Sequence, residues 1–321
     1  MGTVQHHTSV RTPVRPSGRA VFVCGVLLLA VAMLAGACAA QATTSGAAGR
    51  AAASAIGGAK AAAGGDDWAH TLQVVADLRA DPPSTPVVVL LGGSAAREST
   101  VSDAGWAAAV KKAGGTAVAA YNLGSRNRTL AQDLELVRAM PHVPTIVFIG
   151  INVGRFTSPP SHPTLDFPDP VATLPPYKQH QYSQADILSA AKKQALLYQW
   201  VQTRYPAFKA NYATSLATLS TLVAACKARG LHPVLFELPR NTQIIGHALD
   251  APVARYTASC RALAKKDGVP WVSFVGPAHL SNTDFYDLWH IVEPGRAVWQ
   301  PLLARTTAQL LKQYKIGGAG R

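Results

Sequence analysis

Four short segments carry side chains that could do chemistry together: Gly92-Gly93-Ser94, Asn122-Leu123-Gly124-Ser125, Gly150-Ile151-Asn152 and Asp287-Leu288-Trp289-His290. A serine hydroxyl is a poor nucleophile until a base takes its proton as it attacks. His290 is the candidate base for Ser94. Asp287, three residues earlier, is spaced to lie on one side of a turn with the imidazole, orient it and stabilise its charged form. Asp284 is a poorer orienting acid, being six residues from His290. The tetrahedral oxyanion of acyl transfer needs fixed donors, and the backbone N–H groups of Ser94 and Gly124 with the Asn152 amide are the candidates. Taken singly, these segments are commonplace, since Gly-Gly-Ser and a lone Asn are ordinary turn formers. Their order along the chain is what makes them a set.

Three further residues are candidates for contacting substrate. Arg155, just beyond Asn152, is placed to meet an anionic group. Arg240, in Phe236-Glu237-Leu238-Pro239-Arg240-Asn241, either lines a pocket or pairs with Glu237. Trp289 either packs beside His290 or offers a platform for a sugar. No HExxH, CxxC, Gly-Lys-Ser/Thr or G-x-G-x-x-G pattern occurs, so neither a metal nor a cofactor is expected.

The elements that must position these residues alternate. Continuous apolar runs over 86–91, 116–123, 145–149, 232–238 and 269–275 read as strands buried on both faces of a parallel sheet. Helical periodicity is expected over 66–79, 102–113, 129–140, 185–205, 209–229, 251–266 and 294–313. Strand–helix alternation implies a doubly wound, three-layer α/β/α sandwich with a mainly parallel five-stranded sheet. In such folds ligands gather at the carboxyl ends of the strands, where Ser94, Gly124 and Asn152 fall. A proline-rich insertion over 155–183 follows Asn152 and is expected to shape the mouth of the site or to be a plain surface excursion.

The segments LLGGSAARES, YNLGS, FIGIN and YDLWHIVEPGR together resemble the blocks of the SGNH (GDSL-like) hydrolase superfamily, over about residues 86–315. The resemblance implies a flavodoxin-like SGNH fold, with Ser94 as nucleophile, Gly124 and Asn152 as oxyanion donors, and Asp287 and His290 completing the triad. Gly93 stands where many members carry Asp. In character the chain is similar to members that act on envelope polysaccharide acyl groups. The implied activity is an extracytoplasmic serine esterase or O-acyltransferase, acting on acyl (foremost acetyl) esters of cell-envelope carbohydrate or glycolipid. The competing reading is a glycan-binding envelope lipoprotein whose active site on this fold is vestigial.

The N-terminus bears on where this chemistry would happen. Arg11, Arg15 and Arg19 precede an uncharged 21-residue run from Ala20 to Ala40, the form of an export signal over residues 1–40. Leu34-Ala35-Gly36-Ala37-Cys38 resembles a lipobox that would lipidate Cys38. Ordinary cleavage at Ala35-Gly36-Ala37 and an uncleaved membrane anchor are the alternatives. Residues 41–65 are almost all Ala, Gly, Ser and Thr and read as a flexible tether to a domain over 66–318. At 48% hydrophobic and 15% charged, the chain excludes a disordered protein. Its net charge of +13 is scattered, with lysine pairs only at 111–112, 192–193 and 265–266, so a basic surface facing an acidic envelope polymer or lipid is expected rather than nucleic acid. Of the four cysteines, Cys226 and Cys260 fall in the folded part, as a disulfide or as two buried thiols.

Overall fold

The computed structural model describes residues 66–317 apart from 115, 144, 160, 175 and 176. The export signal, Cys38 and the whole tether lie outside the described residues. Among the described residues no helix is long and apolar enough to cross a membrane.

The sheet is built from β1 (Val87–Gly92), β2 (Ala119–Gly124), β3 (Thr145–Ile151), β4 (His232–Glu237) and β5 (Trp271–Ser273), all parallel, in the order β2-β1-β3-β4-β5. Strict alternation of side chains sends Val87, Val89 and Leu91 into one core, and Val88 and Leu90 into the other. β3 divides likewise, with Val147 and Ile149 on the first face and Ile146 and Phe148 on the second. Every residue of β1 and β3 is buried, which is why their sequences read as unbroken apolar runs.

Helices cover both faces. The first core is closed by α1 (Asp67–Ala80), α4 (Leu130–Ala139), α6 (Tyr205–Ala228) and α8 (Asp250–Asp267). The second is closed by α3 (Asp103–Gly114) and α9 (Glu293–Gln313), with Trp106 and Trp299 fully buried against Phe148 and Phe236. Between these elements lie the short α2 (Ser94–Arg97), α5 (Ala190–Gln199) and α7 (Thr242–Ile245). The strand order reverses between β1 and β3, so the crevice beyond their carboxyl ends is the topological switch point, where this architecture binds ligands.

Three local expectations are corrected. The helices expected over 185–205 and 209–229 form one rod: α5 runs through a π-helical turn at Trp200–Arg204 directly into α6. Pro206 does not break it: it follows directly on the π turn, which takes up the irregularity in the hydrogen-bond ladder that a proline introduces. β5 is confined to 271–273, since as an edge strand it pairs on one side only, with β4. Cys226 on α6 and Cys260 on α8 are free buried thiols, not a disulfide. Both side chains are fully buried in the first core, where a free thiol packs as a small hydrophobe. Burial in the shared apolar core pushes both thiols up to about 12.

Candidate active site

β1 ends at Gly92; Gly93 is extended, and the chain turns at once into the single turn of α2, which begins with Ser94. As the first helical residue, Ser94 has a backbone N–H with no acceptor inside the helix. The end of β2 presses against α2 so closely that a Cβ on Gly124 would stand 2.4 Å from the Arg97 nitrogen and 2.9 Å from the Ala96 carbonyl carbon. Buried Asn122 fixes this approach: its Nδ2 donates to the Ala96 carbonyl at 2.9 Å and to Thr100 Oγ1 at 2.8 Å, and its Oδ1 accepts from the Gly124 N–H at 3.0 Å. The Gly124 N–H is therefore occupied, and Gly124 does not line the cleft at Ser94. Its expected part as oxyanion donor is corrected to one of packing. On that cleft wall stands Asn127, in the left-handed region at φ 59°.

His290 Nε2 lies 2.8 Å from Ser94 Oγ, and His290 Nδ1 lies 2.8 Å from Asp287 Oδ2. The other carboxylate oxygen of Asp287 accepts the backbone N–H of Trp289 at 2.8 Å and of His290 at 3.0 Å. Burial opposes charge on the imidazole, but the adjacent Asp287 carboxylate more than offsets it and holds His290 above the ordinary histidine value. Burial likewise opposes charge on Asp287, yet His290 and the two backbone donors hold its carboxyl below the usual carboxylate range. Asp284 is spent elsewhere, accepting from the Ser281 N–H at 2.7 Å and hydroxyl at 2.8 Å.

Two buried networks fix the histidine loop against α2. Lys193 on α5 donates from Nζ to the Asn282 carbonyl and side chain, both at 2.8 Å, and to the Phe285 carbonyl at 2.7 Å. Asn241 adds bonds to Asn282 Oδ1 at 2.9 Å and to the Asp287 carbonyl at 3.2 Å. On the opposite side Glu98, fully buried, pairs with Arg97 at 2.7 Å and Arg296 at 3.1 Å, while Arg97 also reaches Asp67 at 3.0 Å. Ser94 and His290, 196 residues apart, are thus held from both sides.

The cleft around Ser94 has a volume of about 500 Å³. Asn152, at the end of β3, caps the following 3₁₀ turn by accepting the Arg155 N–H on Oδ1 at 3.2 Å, which leaves its Nδ2 donor for the cleft it lines. Trp289 lines the cleft, facing Trp200 from the π turn at 6.4 Å between ring centroids. Arg155 also borders it, but its guanidinium is bound to Asp133 and the Arg128 carbonyl, so it is not a free substrate cation. Arg240 lies elsewhere, bonded to Glu237 and Tyr256 in a separate cleft beyond β4 and β5. The 155–183 insertion is strapped down rather than hung over the mouth. Gln179 donates to the Asn122 carbonyl, Gln181 to the Thr100 carbonyl, and the Tyr182 N–H to Glu98 at 3.1 Å. Among its described residues only the start, at Arg155, Thr157 and Ser158, lines the cleft, while Tyr182 at its end comes within 5.4 Å of the His290 ring. Asn127, Trp200 and Arg204 enter the site unannounced by the sequence. The one cue, an Arg-Tyr-Pro at 204–206, points to a helix break rather than to a π turn.

No protein-family model and no curated protein matches the chain. Solved structures do. An acetylxylan esterase of Geobacillus stearothermophilus is 15% identical, with 70% of this chain and 93% of that one covered at a TM-score of 0.42. A lipase from a goat rumen metagenome is 8% identical, with 69% and 97% covered at 0.41. A candidate acylhydrolase of Bacteroides fragilis is 16% identical, with 77% and 100% covered at 0.40.

Proposed function

We propose that this protein is a serine-dependent ester hydrolase or O-acyltransferase of SGNH type. The observation that carries the reading is the continuous chain of hydrogen bonds from Ser94 Oγ through His290 to Asp287. Ser94 Oγ attacks the acyl carbonyl carbon while His290 Nε2 takes the hydroxyl proton, and Asp287 stays ionised beside the imidazolium. The Ser94 N–H, the Asn152 amide and the Asn127 loop stabilise the oxyanion. Collapse breaks the bond to the alcohol oxygen, which leaves with the proton from His290. Water or a second hydroxyl then attacks acyl-Ser94, with His290 again the base, and Ser94 regains its proton.

The substrate proposed is an acyl, foremost acetyl, ester of cell-envelope carbohydrate or glycolipid. The indole pair of Trp200 and Trp289 on the cleft wall supports a sugar as the alcohol part. The place of action proposed is outside the cytoplasmic membrane, with the domain tethered through a lipid on Cys38 or an uncleaved anchor; the basic, apolar and Ala/Gly-rich order of residues 1–65 supports it. A vestigial, purely glycan-binding role is disfavoured by the intact Ser94–His290–Asp287 alignment.

The test is turnover of 4-nitrophenyl acetate by the purified domain. Turnover that disappears in Ser94→Ala and His290→Ala supports the reading, and turnover unchanged in either variant defeats it.

A further inference from the structure

The electrostatics of the Ser94 cleft are one-sided. Among the described residues that line it, Arg128, Arg155 and Arg204 are cationic and none is Asp or Glu. Arg128 and Arg155 share a single buried carboxylate, Asp133, so this triad of charges, each at most 5% exposed, leaves one positive charge uncompensated behind the cleft. Burial draws Arg128 down to about 10, still protonated at neutral pH. The Asp287 carboxylate does not line the cleft and is bonded to His290 on the side away from Ser94.

Arg204 differs from the other two. It is exposed, and among the described residues no carboxylate pairs with it. It sits on the π turn that also delivers Trp200, where the Tyr205 N–H reaches back to the Trp200 carbonyl. A π turn adds a residue to the helix and swings its side chains relative to a regular α-helix, and such turns are common at functional sites. Here the turn presents an indole and a guanidinium to the cleft that holds the nucleophile.

We infer that the cleft takes an acyl ester of an acidic sugar, seating the ring against Trp200 and Trp289 and its carboxylate or phosphate on Arg204. A planar guanidinium suits either anion bidentately, and the buried surplus charge behind the cleft favours both through a low-dielectric wall. The inference deepens the esterase reading and rests on it.

Three acetyl esters test it: 3-O-acetyl methyl glucoside, the matching glucuronate, and the matching 6-phosphate. Each is assayed as substrate and as protector of Ser94 against a fluorophosphonate probe, so that preference is read even where turnover is slow. The expected result is that at least one charged ester exceeds the neutral one about 10-fold in kcat/KM or in protection. The ester that wins distinguishes carboxylate from phosphate. In Arg204→Glu the ratio of charged to neutral collapses to about 1 or inverts, whereas Arg305→Glu, an equal charge change on exposed α9 surface, keeps it. Added salt lowers the ratio, as expected for an exposed guanidinium. Wild-type protein without preference for either charged ester, or a ratio that survives Arg204→Glu, overturns the inference. If Ser94 is labelled and turns over the neutral ester without such preference, only the inference fails. If Ser94 is not labelled at all, the esterase reading fails and the inference with it.

Discussion

Among the described residues one cleft opens beyond β4 and β5 and another around Ser94, and the larger is not the one with a reactive group. The cleft beyond β4 and β5 has a volume of about 790 Å³, against about 500 Å³ around Ser94. Its buried carboxylate, Glu237, is saturated: Tyr256 donates to it at 2.7 Å, and Ser273 and Arg240 do so as well. Such a group holds α8 and β5 together and has nothing left for a substrate. Ser94 has a single strong partner, and that partner is a base. The difference teaches that a reactive site is marked by an oxygen with one partner and a base in reach, not by cavity size or by the number of polar groups.

Several substitutions break or sharpen this contrast. The largest effect is expected at Ser94 and His290, where alanine should lower kcat/KM for an acetyl ester by about 10⁴-fold or more. Glu237→Gln in the other cleft should leave kcat/KM within about 3-fold, while thermal unfolding shows a loss of about 1–3 kcal/mol from the disturbed carboxylate partners. Asp287→Asn should lower kcat about 10²–10⁴-fold and also change the pH profile. In the wild type the base form of His290 is needed, and Asp287 holds its pKa above the ordinary value. Activity should therefore fall on acidification with a midpoint above about 6.5. Without the Asp287 carboxylate, that limb should move to lower pH, and a limb that stays put would argue that Asp287 does not couple to the imidazole.

Smaller effects belong to the networks that join the two halves of the site. Glu98→Ala leaves Arg97 and Arg296 without their shared buried partner and should cost about 3–5 kcal/mol of stability in chemical denaturation. Lys193→Met keeps the length of the side chain but releases the Asn282 and Phe285 carbonyls. It should lower kcat more than it raises KM, because the histidine loop loses its position rather than its substrate contacts. The smallest effect concerns the cysteines: two thiols should react with Ellman's reagent in the unfolded domain and almost none in the native one, as buried free thiols require.

What could be read from the sequence follows from what each feature depends on. The strands were legible because β1 and β3 are buried on both faces, which forces continuous apolar runs. Ser94, Asn152, Asp287 and His290 were legible because each sits at the end of such a run or at a short fixed spacing from its partner. Gly124 was misread for a reason no spacing reveals: the side chain of Asn122, two residues earlier, takes its N–H. Arg155 was misread because its ion pair depends on Asp133, which approaches only through tertiary packing, whereas the Arg240–Glu237 pair, three residues apart, was one of the two readings open from the sequence. The π turn was hidden because Pro206 is compatible both with a helix break and with the first turn of a new helix. Trp200 and Arg204 were therefore lost with it.

The central claim is that Ser94 is a nucleophile activated by His290. Its most direct measurement is peptide mass mapping after reaction of the native protein with a fluorophosphonate probe. The account predicts a single adduct on the peptide containing Ser94, absent in Ser94→Ala and strongly slowed in His290→Ala, with the exposed serines unmodified. An adduct spread over several serines, or a native Ser94 that reacts no faster than in His290→Ala, would contradict it.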